Sequence, residues 1–322
     1  MRILVTGAAG FIASHLAEQL AEKGHDVVGV DCFTDYYSRD LKERNAREVR
    51  EAGVDLQLCD LAVDSLDAAL EGVTAVYHLA AQPGISAATT LDTYLRNNVI
   101  ATHRLLEACV AKGGIEAFVN VATSSVYGYR ATDPESALPR PVSLYGVTKL
   151  AAEAMVLGYG ESVGLPACSF RLFSVYGPRE RPEKLFPRLI GAILRDEEFP
   201  LYEGAALHTR SFTFVRDIVD GLLSVLDDPA RCRGEIFNIG SDSEFATMDG
   251  IRIVEKLLGQ KARLQHVPGR PGDQIRTSAC IDKIRSHLGY APLVTLEAGL
   301  AETVEWFQTN LHAGAGRDAN PG

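Results

Sequence analysis

The chain has 322 residues, 46% hydrophobic and 23% charged, which excludes disordered and fibrous classes and leaves room for one large domain or two. Its 32 Lys and Arg against 42 Asp and Glu give a net charge of −10, which argues against broad binding to nucleic acid or to an anionic membrane. The longest apolar runs are strand-length, short of the ~20 residues a membrane-spanning helix needs.

The first residues read straight into a strand with no signal-peptide architecture. Strands are expected at 2–6, 27–31, 54–58, 75–79, 117–122 and 167–173. They lack apolar/polar alternation, as strands buried on both faces of a parallel sheet do. Helices fall between them. Ile12, Leu16 and Leu20 make one apolar stripe, and a second helix at 91–111 carries Leu95, Val99, Leu105, Leu106 and Val110. Repeated strand–helix–strand units predict an α/β fold, a doubly wound parallel sheet over residues 1–177. After Gly177 the pattern degrades, with Pro178, Pro182, Pro187 and Pro200 close together. Shorter elements follow: helices at 186–195, 218–226, 248–258 (with Thr247 as N-cap) and 296–308, and strands at 210–214 and 237–239. Residues 178–310 therefore read as a smaller α/β substrate lobe, parts of which return to the sheet, and 311–322 as a disordered tail. Six scattered cysteines without a C-x-x-C pair are expected to be reduced thiols of a cytoplasmic protein.

Gly7-Ala8-Ala9-Gly10-Phe11-Ile12-Ala13 lies between the first strand and the first helix. Gly7 and Gly10 permit a tight turn and close approach of backbone to a pyrophosphate, and the free N–H groups of the helix start supply an anion site. Asp31 ends the second strand, 21 positions after Gly10, where a carboxylate accepts from ribose hydroxyls and repels a 2′-phosphate. NAD is therefore favoured over NADP. Asp60-Leu61 follows the third strand and reads equally well as an adenine contact or as a cap on the next helix.

Tyr145 and Lys149 stand at i and i+4 of a helix and project from one face. A nearby ammonium and a cationic nicotinamide are expected to draw the phenol toward neutrality and make it a general base. Thr123-Ser124-Ser125 ends the fifth strand 22 positions earlier, where hydroxyls can bridge a substrate hydroxyl to Tyr145. His78 reads as a core histidine without chemistry, and no metal site is expected.

In this order the motifs resemble the extended short-chain dehydrogenases/reductases, the nucleotide-sugar epimerase/dehydratase family. The markers are Thr6 through Ile12, His78-Leu79-Ala80-Ala81-Gln82, Asn98, Ser125-Val126-Tyr127-Gly128, Tyr145 through Lys149, Arg171 through Pro178, Arg210 through Val215, and Arg270-Pro271-Gly272-Asp273. The resemblance covers nearly the whole chain and implies a Rossmann domain holding NAD. It places Phe11, Ile12, Cys32, Leu61, Leu79, Ala80, Ala81, Asn98 and Phe173 at the cofactor. It also implies that Arg210 and Arg270 clamp the substrate diphosphate, with Asp273 on the nucleoside ribose and Tyr202 in the substrate set. A planar guanidinium suits phosphate oxygens.

Family dehydratases carry Asp-Glu directly after the bridging Thr, and the decarboxylases a Glu two positions after it. Here Ser124 and Ser125 occupy those places, which leaves reversible oxidation at C4. The pattern is most similar to UDP-glucuronate 4-epimerases, where Ser124, Ser125, Ser174 and Arg181 could fix the uronate carboxylate. One departure is the loop Pro83-Gly84-Ile85-Ser86, where such epimerases usually have Arg, so UDP-glucose/galactose or another nucleotide sugar stays open. A non-catalytic NAD-sensing protein and a reductase with exchangeable NAD(P)H are rival readings. The family also implies a homodimer through the helices at 91–111 and 146–163.

Overall fold

In the computed structural model, which describes residues 1–85, 88–269 and 274–312, the chain runs β1 (Arg2–Thr6), α1 (Phe11–Glu22), β2 (Asp26–Asp31), α2 (Arg39–Glu51), β3 (Asp55–Leu58), β4 (Ala75–His78), β5 (Ala117–Thr123), β6 (Arg130–Ala131) and β7 (Ala167–Leu172) before reaching the lobe. Seven parallel strands form the main sheet in the order Ile236–Ile239, β7, β5, β4, β1, β2, β3. Every residue of β4, β5 and β7 is buried, which is why their sequences show no alternation. The strand order turns back between β1 and β4, so the carboxyl ends of those strands open a crevice where doubly wound folds bind ligands. Ile236–Ile239 joins β7 from deep in the second half of the chain.

The helix at 91–112 is not uniform. Leu91–Tyr94 and Ala101–Lys112 are α-helical, and Leu95–Ile100 between them is a π segment. This widened turn carries Asn98 into the interior, where it is 1% exposed. Leu144–Val163 packs beside it and is capped by Ser143, whose hydroxyl accepts from the Gly146 N–H at 3.1 Å.

The lobe is built from helices Leu185–Leu194 and Thr247–Leu258 and a parallel pair, Glu198–Tyr202 with Arg263–Val267. Two sequence expectations are corrected here. The single strand at 210–214 is two short ones: Thr209–Arg210 pairs antiparallel with Phe245–Ala246, and Thr213–Phe214 pairs parallel with Val175–Tyr176. The chain breaks at Ser211-Phe212, where it crosses from one small sheet to another. Thr247 is not the N-cap. Ala246 holds that position and donates its N–H to Asp249 at 3.0 Å, while the Thr247 hydroxyl donates to the His208 carbonyl at 3.2 Å. The last helix, Leu296–His312, runs past the expected end at 308, and the expected disordered tail falls almost entirely outside the described residues. Among the described residues no helix is long and apolar enough to cross a membrane.

Candidate active site

One cleft of about 580 Å³ runs along the carboxyl ends of β1, β2, β4 and β5 and under the lobe. At its inner end Gly7 has φ +73°, and a Cβ there would lie 3.0 Å from the Cα and N of Ala80. A Cβ on Gly10 would meet the Gly7 carbonyl at 2.9 Å. Both positions therefore exclude side chains, and α1 starts at Gly10 with no side chain covering its first N–H groups. This is the cradle a dinucleotide pyrophosphate fits. Phe11, Ile12, Cys32, Leu61, Leu79, Ala80 and Ala81 all line the same cleft.

Asp31 lies at the adenosine end, its Oδ1 accepting from the Phe33 N–H at 2.7 Å and its Oδ2 from the Ala9 N–H at 3.2 Å. Each oxygen keeps a lone pair for a ribose hydroxyl. Asp60 combines both of its readings. It lines the cleft and also ties off the following turn, accepting from the Ala62 N–H at 2.9 Å. Burial alone raises its carboxyl, but the hydrogen bonds from Arg96 (2.5 Å) and Ala62 hold it below the usual value. Thr6, His78 and Thr102 form a buried relay beneath this region. The Thr6 hydroxyl accepts from the Leu79 and Ala80 N–H groups, so its proton goes to His78 Nδ1 at 2.9 Å. His78 Nε2 then donates to Thr102 at 2.9 Å. Burial lowers the His78 pKa to about 3, so the ring is a neutral structural group.

Two expected cofactor residues do not line the cleft. Asn98 stands behind its wall, accepting from the Gln82 N–H at 2.7 Å and donating to the Thr148 hydroxyl at 3.1 Å, and so fastens the Ala81-Gln82 loop to Leu144–Val163. Phe173 is fully buried in the core. Arg270, Asp273 and the Ser86 position fall outside the described residues.

Tyr145, Lys149, Thr123, Ser124 and Ser125 meet at the centre of the cleft. Thr123 ends β5, and its Oγ1 accepts from the Ser125 N–H at 3.2 Å and is hydrogen-bonded to Tyr145. Lys149 is 3% exposed. Burial pulls its ammonium down to about 8, against the Glu153 charge, which favours the cation. The expectation of a softened phenol is corrected for the protein by itself. Burial raises the Tyr145 pKa, and the Thr123 hydrogen bond and the Arg181 charge only oppose it. The cationic ring of a bound nicotinamide would add a further downward pull.

Toward the lobe, Ser174, Arg181, Tyr202 and Arg210 line the cleft. Ser174 shares a hydrogen bond with Thr277 at 3.3 Å. Arg210 is anchored through the carbonyls of Thr209 and Gln274. The Arg181 guanidinium lies over the Tyr36 ring at 5.5 Å and reaches the backbone of Gly84, whose Cβ would stand 3.3 Å from Nη2. Sequence reasoning gave no site role to several polar side chains that also line this cleft, among them Gln82, Glu180, Lys184 and Arg188. It missed Glu153 as well, although its place four residues after Lys149 was a legible signal.

The family model for the NAD dependent epimerase/dehydratase family matches residues 3–240. A protein of Bacillus subtilis (strain 168) named as an uncharacterized UDP-glucose epimerase, YtcB, is 37% identical over 314 residues, covering 96% of this chain and 98% of that protein. UDP-glucuronate 4-epimerase 2 of Arabidopsis thaliana is 35% identical over 327 residues, covering 95% of this chain and 75% of that protein. Among solved structures, the UDP-glucuronic acid 4-epimerase of Bacillus cereus in complex with UDP-glucuronic acid and NAD superposes with a TM-score of 0.92 at 35% identity, covering 96% of this chain and 99% of that one. The chain therefore belongs to the NAD-dependent epimerase/dehydratase family and is an NAD-dependent nucleotide-sugar epimerase.

Proposed function

We propose that this chain interconverts UDP-glucuronate and UDP-galacturonate through a 4-keto sugar. The observation that carries the reading is the end of β5, where Thr123, Ser124 and Ser125 are all buried beside Tyr145 and offer hydroxyls in place of carboxyl groups. No acid stands directly after Thr123 to strip C5, so the chemistry stays at C4. NAD held by the turn of Gly7 and Gly10 and by Asp31 would supply the hydride acceptor and donor for C4. Tyr145, linked to the Thr123 hydroxyl, takes the proton of the C4 hydroxyl as the carbonyl forms and gives it back after the sugar has turned over. The Lys149 cation favours the phenolate during that interval.

A uronate oxidised at C4 is a β-keto acid and loses CO₂ unless its carboxylate is held out of line. Hydroxyls of Ser124, Ser125 and Ser174 and the cation of Arg181 line the cleft and support such a grip. Arg181 reaches the Gly84 backbone, so a cation stands beside the loop that lacks the usual Arg. The second reading, UDP-glucose/galactose epimerisation, is favoured by the similarity to YtcB. The test is an NMR assay of purified protein against UDP-, CDP- and GDP-sugars. Conversion of UDP-glucuronate with a kcat/KM at least about tenfold above that for UDP-glucose supports the uronate, and the reverse ratio replaces it. Ser125→Ala is expected to weaken uronate binding or leak a 4-keto-pentose, and clean product at unchanged kinetics counts against the grip.

A homodimer through the helices at 91–112 and Leu144–Val163 is part of the same reading. Leu91, Leu95, Ile100, Val110, Val147 and Val163 on those helices are exposed apolar side chains that a second copy would cover. A monomeric mass in light scattering at micromolar protein would rule it out.

A further inference from the structure

Glu180 sits in the turn that leaves the main sheet for the lobe, its N–H donating to the Gly177 carbonyl at 3.2 Å. The residue is only 8% exposed and lines the cleft, and its Oε2 is buried with no hydrogen-bond partner. Of the two nearby cations, Arg181 is paired with Glu183 at 2.8 Å, and Lys184 acts on the carboxyl through its charge. An ionised carboxylate in that position would be buried with no donor to its Oε2, which strongly disfavours the charge. A carboxyl group in such a place is neutral and presents one O–H donor. The part of the side chain that remains exposed lines a cleft whose occupant, a nucleotide sugar, is rich in acceptor oxygens.

We propose that Glu180 is a ligand-binding residue of this cleft, a carboxylic acid whose proton is shared with an oxygen of the bound nucleotide sugar. The inference rests on the assignment of the cleft to a nucleotide sugar, but not on which sugar it is. Burial pushes the Glu180 pKa up to about 8, while Lys184 and Arg181 pull it down and Glu183 pushes it up. Tyr176 on the preceding strand feels the Glu180 charge, and Arg188, Tyr36, Tyr145 and Lys149 are further titratable groups lining the same cleft. Below pH 8 the acid is neutral and donates. Above it the new negative charge removes the donor and repels an anionic ligand, so affinity falls as pH rises.

The test is calorimetric titration of the NAD-loaded Tyr145→Phe protein, which binds without turnover, with UDP-glucuronate and separately with UDP-glucose from pH 6.5 to 9.5. Kd is expected to rise about tenfold per pH unit above 8. Adding Glu180→Gln keeps a donor without a titrating group. It is expected to weaken binding modestly at pH 7 and to remove that slope. Glu180→Leu is expected to weaken binding at pH 7 by about tenfold or more. An unchanged alkaline slope in the Gln variant, or Leu-variant binding within about twofold of its parent, overturns the inference. Binding of UDP-glucose alone, with the slope and its loss in the Gln variant, leaves the inference standing and removes the uronate reading. Binding of UDP-glucuronate with no Glu180-dependent slope does the opposite.

Discussion

Arg171 on β7 and Glu153 on the helix Leu144–Val163 meet at 2.6 Å with both side chains 2% exposed. The carboxylate also accepts from Ser169 at 3.0 Å, and the guanidinium donates to Tyr127 at 2.8 Å, which donates in turn to Asn238. Glu153 is thereby committed to β7, yet it remains one helical turn from Lys149 and is the charge that keeps that buried ammonium protonated. The pair binds the strand that carries Arg171 to the helix that carries the catalytic tyrosine and lysine.

Removing one member leaves the other charge buried alone. Arg171→Leu is expected to destabilise the fold by ~3–5 kcal/mol. The double variant Glu153→Leu/Arg171→Leu is expected to lose less than the sum of the two single changes, because neither member of the pair is left facing an empty partner position. Urea unfolding of the four proteins of this cycle is the measurement, and additive losses would count against a coupled pair.

Lys149 is held at the expense of stability. Its pKa is about 8 in the fold against an ordinary 10.5, so between those values the unfolded chain binds more protons and stability rises with pH. Below pH 8 both states are protonated and the full burial cost is felt. Lys149→Met is therefore expected to stabilise the NAD-free protein at pH 7 by up to about 3 kcal/mol while abolishing turnover. The gain should shrink as pH rises toward about 10. A variant less stable than the parent at pH 7 refutes this account.

Acid acts through two imidazoles, His78 buried and His15 half-buried. Burial lowers His15 to about 4 and His78 to about 3, with the Arg179 charge adding to the effect at His15 and the Lys149 charge at His78. Both rings are neutral in the fold and protonate in the unfolded chain near the ordinary 6.5, so stability falls as pH drops from there toward 4. Chemical unfolding at pH 7 and pH 4.5 should show the loss, and His15→Gln should reduce it. Equal sensitivity in that variant would exclude His15 as a source.

Gly7→Ala combines a φ of +73° with a Cβ 3.0 Å from backbone atoms of Ala80, neither of which can move without breaking the Thr6 bonds to Leu79 and Ala80. The purified variant is expected to carry less than about a tenth of the parent's NAD. Cofactor content read from absorbance after denaturation decides it, and full occupancy would show that the turn tolerates a side chain.

The main sheet and the cofactor turn were legible because their signals are local: strands of continuous apolar residues, and glycines where backbone approaches backbone. Less legible was α2, which buries Lys42, Asn45, Ala46 and Val49, so its inward stripe is half polar and shows no hydrophobic period. The π turn at Leu95–Ile100 escaped for a related reason, since one extra residue shifts the phase of a helix without altering its composition. In the site, the i, i+4 spacing puts Tyr145 and Lys149 on one helix face, and the glycine turn, Asp31 and the Thr123-Ser124-Ser125 cluster ahead of them made that pair legible as chemistry. Glu180 and Gln82 could not, because what distinguishes them is an unpartnered atom in a buried wall, a property of packing between segments far apart in the chain.

Arg179 deserves its positive φ. Its guanidinium donates to Glu18 on α1 at 2.8 Å and to Glu48 on α2, while His15 bonds the Pro178 carbonyl at 3.0 Å. The segment bearing Glu180 and Arg181 is thus bolted to the two helices flanking the dinucleotide turn rather than hung from the lobe. Glu18 and Glu48, which lie outside the cleft lining, therefore tie the wall bearing Arg181 to the cofactor cradle, and a change at either reaches both through Arg179.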